Sequence, residues 1–339
     1  MDTTPRAVYI DEPERLRVAG AEPRPPGPGE ALVRVAWSGI CGSDRELLVG
    51  GRPEGFVRYP VVPGHEWSGT VTAVGDGVDG GLVGQGVVGE GFRSCGRCAA
   101  CRRGDNNLCA ADYDETGFTQ PGAWADFLTL PARLLHVLPA GSDLRAAAAL
   151  EPAACVAAAC LQLAPVPGER AAVVGAGTLG LLAIQLLRAS SPAELAVVVR
   201  RPGRAELAQR CGATTVLTLD EARRSAGRYD VVLEAAGTSG AARTTVELAR
   251  RGGRVALTGI PSADDDPPSP TTLVLNQVTV HTVFGAPSRA WSYAVRTFAS
   301  GALDPAAVVT HEVGLDDVSE AFRLLGDPAA GTVKVLLRP

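Results

Sequence analysis

Four of the eight cysteines crowd into one hydrophilic stretch, CGRCAACRRGDNNLC, which places Cys95, Cys98, Cys101 and Cys109 at C-x2-C-x2-C-x7-C spacing. Four thiolates gathered by one short loop, with Gly96 and Gly104 to let it fold tightly, supply the closed tetrahedral sphere of a structural zinc. An iron–sulfur cluster also takes four cysteines. Its usual spacings, however, recruit a distant ligand or place a proline after the last cysteine. Four unligated cysteines here would be exposed reactive thiols. Because a four-thiolate sphere has no open position, this metal would hold a lobe (91–110) together and do no chemistry.

A second set of candidates is scattered: Cys41 in GICGSD, His65 and Glu66 in PGHEWSG, and Glu151 in LEPAAC. A catalytic zinc needs about three protein ligands and one open position for a water or substrate oxygen, and these four residues supply such a set. Each is weak alone, since a lone cysteine is usually a small core residue. They gain weight beside a third motif, VVGAGTLG, in which Gly175, Gly177 and Gly180 form G-x-G-x-x-G with Thr178 and Leu179 inside it. The motif follows a predicted strand and opens a predicted helix. There glycines let the backbone approach a pyrophosphate and the helix N-terminus meets its charge. Such folds normally carry an Asp or Glu about 20 residues further on to hold the ribose hydroxyls. Here that position falls on Val199, with Arg200 and Arg201 next and Arg204 nearby. Guanidinium groups there suit a 2′-phosphate, so NADP is the expected preference with NAD possible. The alternative is a pair of solvated surface arginines.

The elements that must position these groups change character along the chain. From Ala7 to about Leu138, short β-type runs (31–37, 68–74, 87–89, 124–130) alternate with Gly/Pro turns, a β-rich, partly barrel-like module. From about Ala171, strands (170–174, 195–199, 229–233, 254–258) alternate with helices after Gly177 and over 205–211, which implies a parallel sheet. The alanine-rich link 143–163 reads as helical. Beyond the acidic, proline-rich loop 262–270, the text gives a helix over 291–300 and a last strand over 333–337. Glu234 to Gly237 and Phe284 with Gly285 follow strands of the second module, where the cofactor cleft and nicotinamide are expected. The division is a catalytic domain over 1–152, a dinucleotide-binding domain over 153–287 and a segment, 288–339, that returns to the catalytic domain; the active site is expected in the cleft between the two.

At 339 residues the chain exceeds one ordinary core, and 46% hydrophobic with 20% charged residues is globular composition. A formal charge of −5 gives no pull towards nucleic acid or anionic lipid. The first 14 residues have no apolar run, so no secretory signal is expected. The longest apolar stretch, 171–187, is glycine-interrupted and too short to span a membrane. A cytoplasmic protein with reduced cysteines is the expectation. Cys155, Cys160 and Cys211 lie in apolar helical text as packing residues.

These motifs together carry a resemblance that covers essentially the whole chain. The run from Gly64 through Gly75 to Val78, G-H-E-x2-G-x5-G-x2-V, resembles the zinc signature of the medium-chain alcohol dehydrogenase superfamily, and the four-cysteine lobe, GAWADF from Gly122 and THEVGLDDVSEAF from Thr310 are similar to the same superfamily. Glu151–Pro152 resembles the polyol, sugar and threonine dehydrogenase branch. The resemblance implies an α/β protein, a GroES-like β-rich catalytic domain plus a Rossmann doubly wound parallel sheet, assembled as a homodimer or homotetramer. It implies Cys41, His65 and Glu66 as ligands of a catalytic zinc, with Glu151 as a fourth ligand or the holder of its water, hence two zinc ions per chain. Ser43 matches the hydroxyl that begins a proton relay, and Glu46 stands where many relatives place the next relay group, a histidine. The activity implied is hydride transfer between a secondary alcohol of a polyol, sugar or aminocyclitol and NAD(P). Threonine or a simple alcohol is the alternative. Zinc-free reductases on the same scaffold lack the ligand set, and non-catalytic NAD(P)-binding relatives have no need of it.

Overall fold

The computed structural model describes residues 4–261 and 266–339, so part of the predicted loop 262–270 and the extreme N-terminus lie outside the described residues. Its strands, in chain order, are β1 (Arg6–Glu12), β2 (Arg15–Gly20), β3 (Glu30–Ile40), β4 (Trp67–Val74), β5 (Gly86–Gly89), β6 (Phe127–Pro131), β7 (Leu135–Val137), β8 (Arg170–Val174), β9 (Glu194–Val198), β10 (Thr215–Leu217), β11 (Tyr229–Glu234), β12 (Ala249–Leu257), β13 (Thr279–Thr282), β14 (Val309–Gly314) and β15 (Lys334–Arg338).

Residues 1–151 and 305–339 form one compact unit. Its main sheet runs β14-β15-β3-β4-β5-β7, with β6 also paired to β3, and β1 and β2 form a separate hairpin. Long β3 is the organiser: Val33 and Val35 point inward from it to a core that includes Trp67, Val71, Val87, Leu128 and Leu130. The C-terminal strand β15 lies antiparallel on the end of β3, Val335 opposite Ile40, which brings the last residues of the chain beside Cys41. The cysteine lobe hangs from this sheet by side-chain anchors. Buried Glu90 binds Asn106 Nδ2 at 2.7 Å and His136 Nε2 at 3.0 Å, and Arg133 donates to the Ser94 carbonyl.

Residues 152–304 form the second unit. All its strands are parallel, in the order β10-β9-β8-β11-β12-β13, which counted within the unit is 3-2-1-4-5-6, the doubly wound dinucleotide arrangement. Its buried strands read as near-continuous Val/Ala runs because parallel sheets are covered on both faces. Helix Thr178–Arg188 packs on β8 and β9, and helix Ala241–Leu248 on β11 and β12.

Two boundaries differ from the sequence reading. The link predicted as helical is divided into two helices, Leu144–Ala147 and Leu150–Leu163. Pro152, which has no N–H to donate, belongs in the first turn of a helix, so the helix restarts just ahead of it. The helix predicted over 291–300 spans Ser288–Ala299 and lies with the second unit rather than with the returning tail. The physical reason is Gln185, whose side chain binds the Asp304 carbonyl at 3.1 Å and its N–H at 2.7 Å, tying the chain to the glycine-motif helix as far as residue 304. No helix among the described residues is long and apolar enough to cross a membrane.

Candidate active site

Cys41 ends the stretch after β3 and caps helix Gly42–Val49, while His65 and Glu66 immediately precede β4, the neighbour of β3. Adjacent strand ends therefore deliver three ligand atoms, from Cys41, His65 and Glu66, all within 4.8 Å of one another. Cys41 Sγ lies 3.2 Å from His65 Nε2 and 2.8 Å from Ser43 Oγ, and Ser43 Oγ lies 3.5 Å from the same His65 nitrogen.

The groups behind these atoms are buried and charged. Asp44, with no exposed surface, accepts the Cys41 N–H at 2.9 Å through Oδ2, and its Oδ1 faces His65 Nδ1 at 3.4 Å, too long for a strong hydrogen bond. Neither Oδ1 nor Nδ1 has another partner among the described residues, so the pair is held by attraction and by shape. Burial alone would push the His65 imidazole down; the negative charges of Cys41 and Asp44 carry it well above its usual range. A buried nitrogen pulled towards positive charge by a thiolate and a carboxylate marks a place built around a cation, and a thiolate, an imidazole and a carboxylate are a donor set zinc accepts.

Glu66 is the least free of the three. Lys334, at the start of β15, donates to both its oxygens, at 2.8 and 2.6 Å, and to the Ile40 carbonyl at 3.2 Å, with both side chains 2% exposed. Burial would lower the Lys334 ammonium, but Glu66 and Cys41 hold it above the ordinary lysine value. Gly39 makes room for this pair: a Cβ there would stand 2.1 Å from Glu66 Oε2. Glu66 therefore meets the metal position as a carboxylate already neutralised by an ammonium.

The remaining expectations divide. Glu151, in the first turn of helix Leu150–Leu163, is half-buried and outside the 4.8 Å ligand cluster, though its charge acts on Lys334. Glu46 is exposed and makes no hydrogen bond to Ser43. Sequence reasoning missed Asp44 and Lys334. Asp44 had a local signal in GICGSD, three residues past the cysteine; Lys334 lies hundreds of residues from its partners, and only the pairing of β15 with β3 brings it to the site.

The second ligand set is complete. Cys95, Cys98, Cys101 and Cys109 present their sulfurs within 4.8 Å of one another, comparable with the S···S edge of about 3.8 Å that Zn–S bonds of about 2.3 Å give a tetrahedron. Backbone N–H groups point at the sulfurs, from Cys95 and Ala111 to Cys109 at 3.3 and 3.4 Å and from Cys101 and Ala110 to Cys98, both at 3.5 Å. The N–H groups of Ala110 and Cys101 bring the Cys98 thiol down to about 6, which favours the thiolate a metal needs.

In the second unit, Gly177 caps helix Thr178–Arg188 without a side-chain partner. Gly180 packs so closely that a Cβ would come within 2.0 Å of the Gly175 carbonyl oxygen, which fixes the tight turn between β8 and the helix. Buried Glu234 clamps two neighbouring loops, accepting the N–H groups of Ala236 and Gly237 on Oε1 and of Gly259 on Oε2, all at 2.7 Å. Arg200 and Arg201 are exposed just past β9, and Phe284, after β13, is 45% exposed.

These features define a metal-binding module joined to a dinucleotide fold, and comparison with known proteins agrees. Residues 27–140 match the alcohol dehydrogenase GroES-like domain and residues 147–338 the glucose dehydrogenase C-terminus. The L-threonine 3-dehydrogenase of Streptomyces avermitilis is 32% identical over 314 residues, 90% of each chain, and the sorbitol dehydrogenase of Bacillus subtilis is 29% identical over 91% of this chain and 90% of its own. A solved zinc-binding dehydrogenase from Sinorhizobium meliloti, bound to NADP, superposes over the whole of both chains with a TM-score of 0.91 at 29% identity. The chain belongs to the zinc-dependent medium-chain alcohol dehydrogenase superfamily and is an NAD(P)-dependent alcohol dehydrogenase.

Proposed function

We propose that the enzyme oxidises a secondary hydroxyl of a polyol, sugar or aminocyclitol, using NADP in preference to NAD, as a homodimer or homotetramer. The observation that carries the substrate class is the ligand set itself. Cys41, His65 and Glu66 offer one thiolate where two would make a softer, more apolar site, and Glu151 stands near enough to act on Lys334. A site this rich in carboxylates suits a substrate that can present a second oxygen. Threonine is the second reading, favoured by the threonine dehydrogenase relative.

Cys41, His65 and Glu66 would hold the catalytic zinc, with Glu151 as the candidate fourth ligand or holder of its water, and Cys95, Cys98, Cys101 and Cys109 the structural one. When bound, the catalytic zinc supplies Lewis acidity towards the substrate oxygen and the nicotinamide supplies the hydride acceptor. Ser43 Oγ, beside both Cys41 and His65, takes the hydroxyl proton. Asp44 keeps His65 oriented with Nε2 towards the ligand cluster, and Lys334 holds the Glu66 carboxylate in place. Since Glu46 is exposed and unconnected to Ser43, the proton leaves Ser43 to solvent without a side-chain relay through that residue.

The NADP preference rests on Arg200 and Arg201, whose side chains form no ion pair or hydrogen bond among the described residues, and on buried Val199 in place of an acid. A panel of polyols, cyclitols, threonine and simple alcohols with both cofactors tests the whole reading. The expected result is NADP-linked turnover of a polyhydroxy substrate. Replacing both arginines by alanine should raise the NADP KM about tenfold and hardly move that of NAD. Strong preference for NAD, or for ethanol over every polyol, sinks the corresponding half.

A further inference from the structure

One polar chain beside the metal ligands is not used by the mechanism above. Arg52 donates through Nη2 to the Tyr113 hydroxyl at 3.2 Å and through Nε to the Phe56 carbonyl at 3.3 Å. Tyr113 in turn donates to the carboxylate of Glu115. The guanidinium carbon lies 3.9 Å over the centre of the Phe118 ring, and Phe118 packs on the imidazole of His65, centroids 4.8 Å apart. A single aromatic ring thus separates a cation from a residue of the metal site. Phe56 and Phe92 pack against Tyr113 at 4.5 and 6.1 Å.

The members of this chain are not equally available. Glu115 is 8% exposed and closed in by Gly91, where a Cβ would stand 2.8 Å from its Oε1, so it serves Tyr113 rather than a ligand. Arg52 is only half-buried, and among the described residues no carboxylate lies within 4.0 Å of it and no partner meets its Nη1. A guanidinium pinned by a ring on one face and by two hydrogen bonds along one edge keeps its other edge in a fixed plane. That fork matches the paired oxygens of a carboxylate or phosphate. A neutral hydroxyl would use only one of its N–H groups.

We infer that Arg52 is the specificity-determining residue of this enzyme and binds an anionic group, carboxylate or phosphate, carried by the substrate near the hydroxyl that is oxidised, with Tyr113 and Glu115 as positioning residues. The inference rests on the reading of the site as an alcohol dehydrogenase centre for hydroxyl-rich compounds and names the charge of its substrate.

The test uses the zinc-loaded enzyme with matched neutral and anionic substrates: polyols, the corresponding hydroxy acids and their phosphate monoesters. The Arg52→Met variant should lower kcat/KM for the anionic substrate, relative to the neutral one, by about tenfold or more, mostly through KM. Arg52→Lys, which keeps the charge but loses the fork, should recover part of that ratio, and Tyr113→Phe should move it in the same direction as Arg52→Met. Calorimetric titration of the wild type with acetate and with inorganic phosphate identifies the anion, and the stronger signal should vanish in Arg52→Met. Absence of binding of either anion, or an equal loss for neutral and anionic substrates, overturns the inference. If instead no secondary alcohol is oxidised while anion binding at Arg52 persists, the error lies in the dehydrogenase reading of the substrate and not in this subsite.

Discussion

At the scale of the residue, the buried pair Lys334–Glu66 is the most sensitive point of the site. The chain holds one lysine against 31 arginines, and that lysine lies 2% exposed against a candidate metal ligand. An ammonium is compact enough to sit between two carboxylate oxygens and the Ile40 carbonyl where a planar guanidinium would need more room. Removing one member of such a pair leaves an uncompensated buried charge, at a cost of about 3–5 kcal/mol. Lys334→Met should therefore lose about that much stability in urea denaturation of the zinc-loaded protein, and Lys334→Arg about half. In cobalt-substituted enzyme, Lys334→Met should also shift the visible bands, because Glu66 no longer shares its oxygens with an ammonium; an unaltered spectrum would mean Glu66 stays out of the coordination sphere. Little of this was legible in the sequence. Cys41, His65 and Glu66 announce themselves by type and context, whereas a lysine in VKVLL reads only as the start of a strand.

Elements explain why the motifs work at their spacing. The glycine motif was legible because strand, turn and helix all fall within 19 consecutive residues and each glycine has a local reason. The clamp made by Glu234 was not: its partners lie in loops after β11 and β12, and only the parallel pairing of those strands puts Gly259 beside Ala236 and Gly237. With all three acceptor bonds made by one buried carboxylate, Glu234→Gln turns one of them into an N–H facing an N–H. We expect NADP affinity to fall about tenfold, in line with about 1–3 kcal/mol for a buried group left without its partner. Equilibrium binding followed by protein fluorescence measures it, and an unchanged dissociation constant would show that these loops do not shape the cofactor site. The cysteine lobe behaves differently, since its four sulfurs come from 15 consecutive residues and the loop has little apolar core of its own. Cys98→Ser should unfold the lobe locally and bring bound zinc from two equivalents per chain to one, as counted by metal analysis, while Cys160, whose thiol is pushed up to about 12 by burial, should stay unreactive towards alkylating reagents at neutral pH.

At the scale of the whole molecule, the order of elements was largely readable because the change from β-rich text to alternating strand and helix is a change of period. The boundaries were less so, since a contact such as Gln185 with Asp304 joins distant positions. The edges of the sheets could not be read at all, because nothing in a strand's own sequence says whether a neighbour will cover it. In the second unit β13 is the outer strand, with Thr279 and Thr282 exposed and Val280 37% exposed. Helix Pro270–Asn276, which leads into it, leaves Val274 and Leu275 exposed at 73% and 66%. An uncovered strand with apolar side chains is a template for pairing with another chain, and natural proteins rarely leave one open. The homo-oligomer proposed above would bury this edge against the same edge of a second copy, a self-complementary two-fold contact. Sedimentation equilibrium should then give twice the 34.9 kDa chain mass, or four times it if dimers pair. Val280→Lys, which sets like charges against each other across the two-fold axis, should shift the protein towards the monomer. Wild-type protein that sediments as a monomer at micromolar concentration would leave β13 as a bare edge and end the proposal.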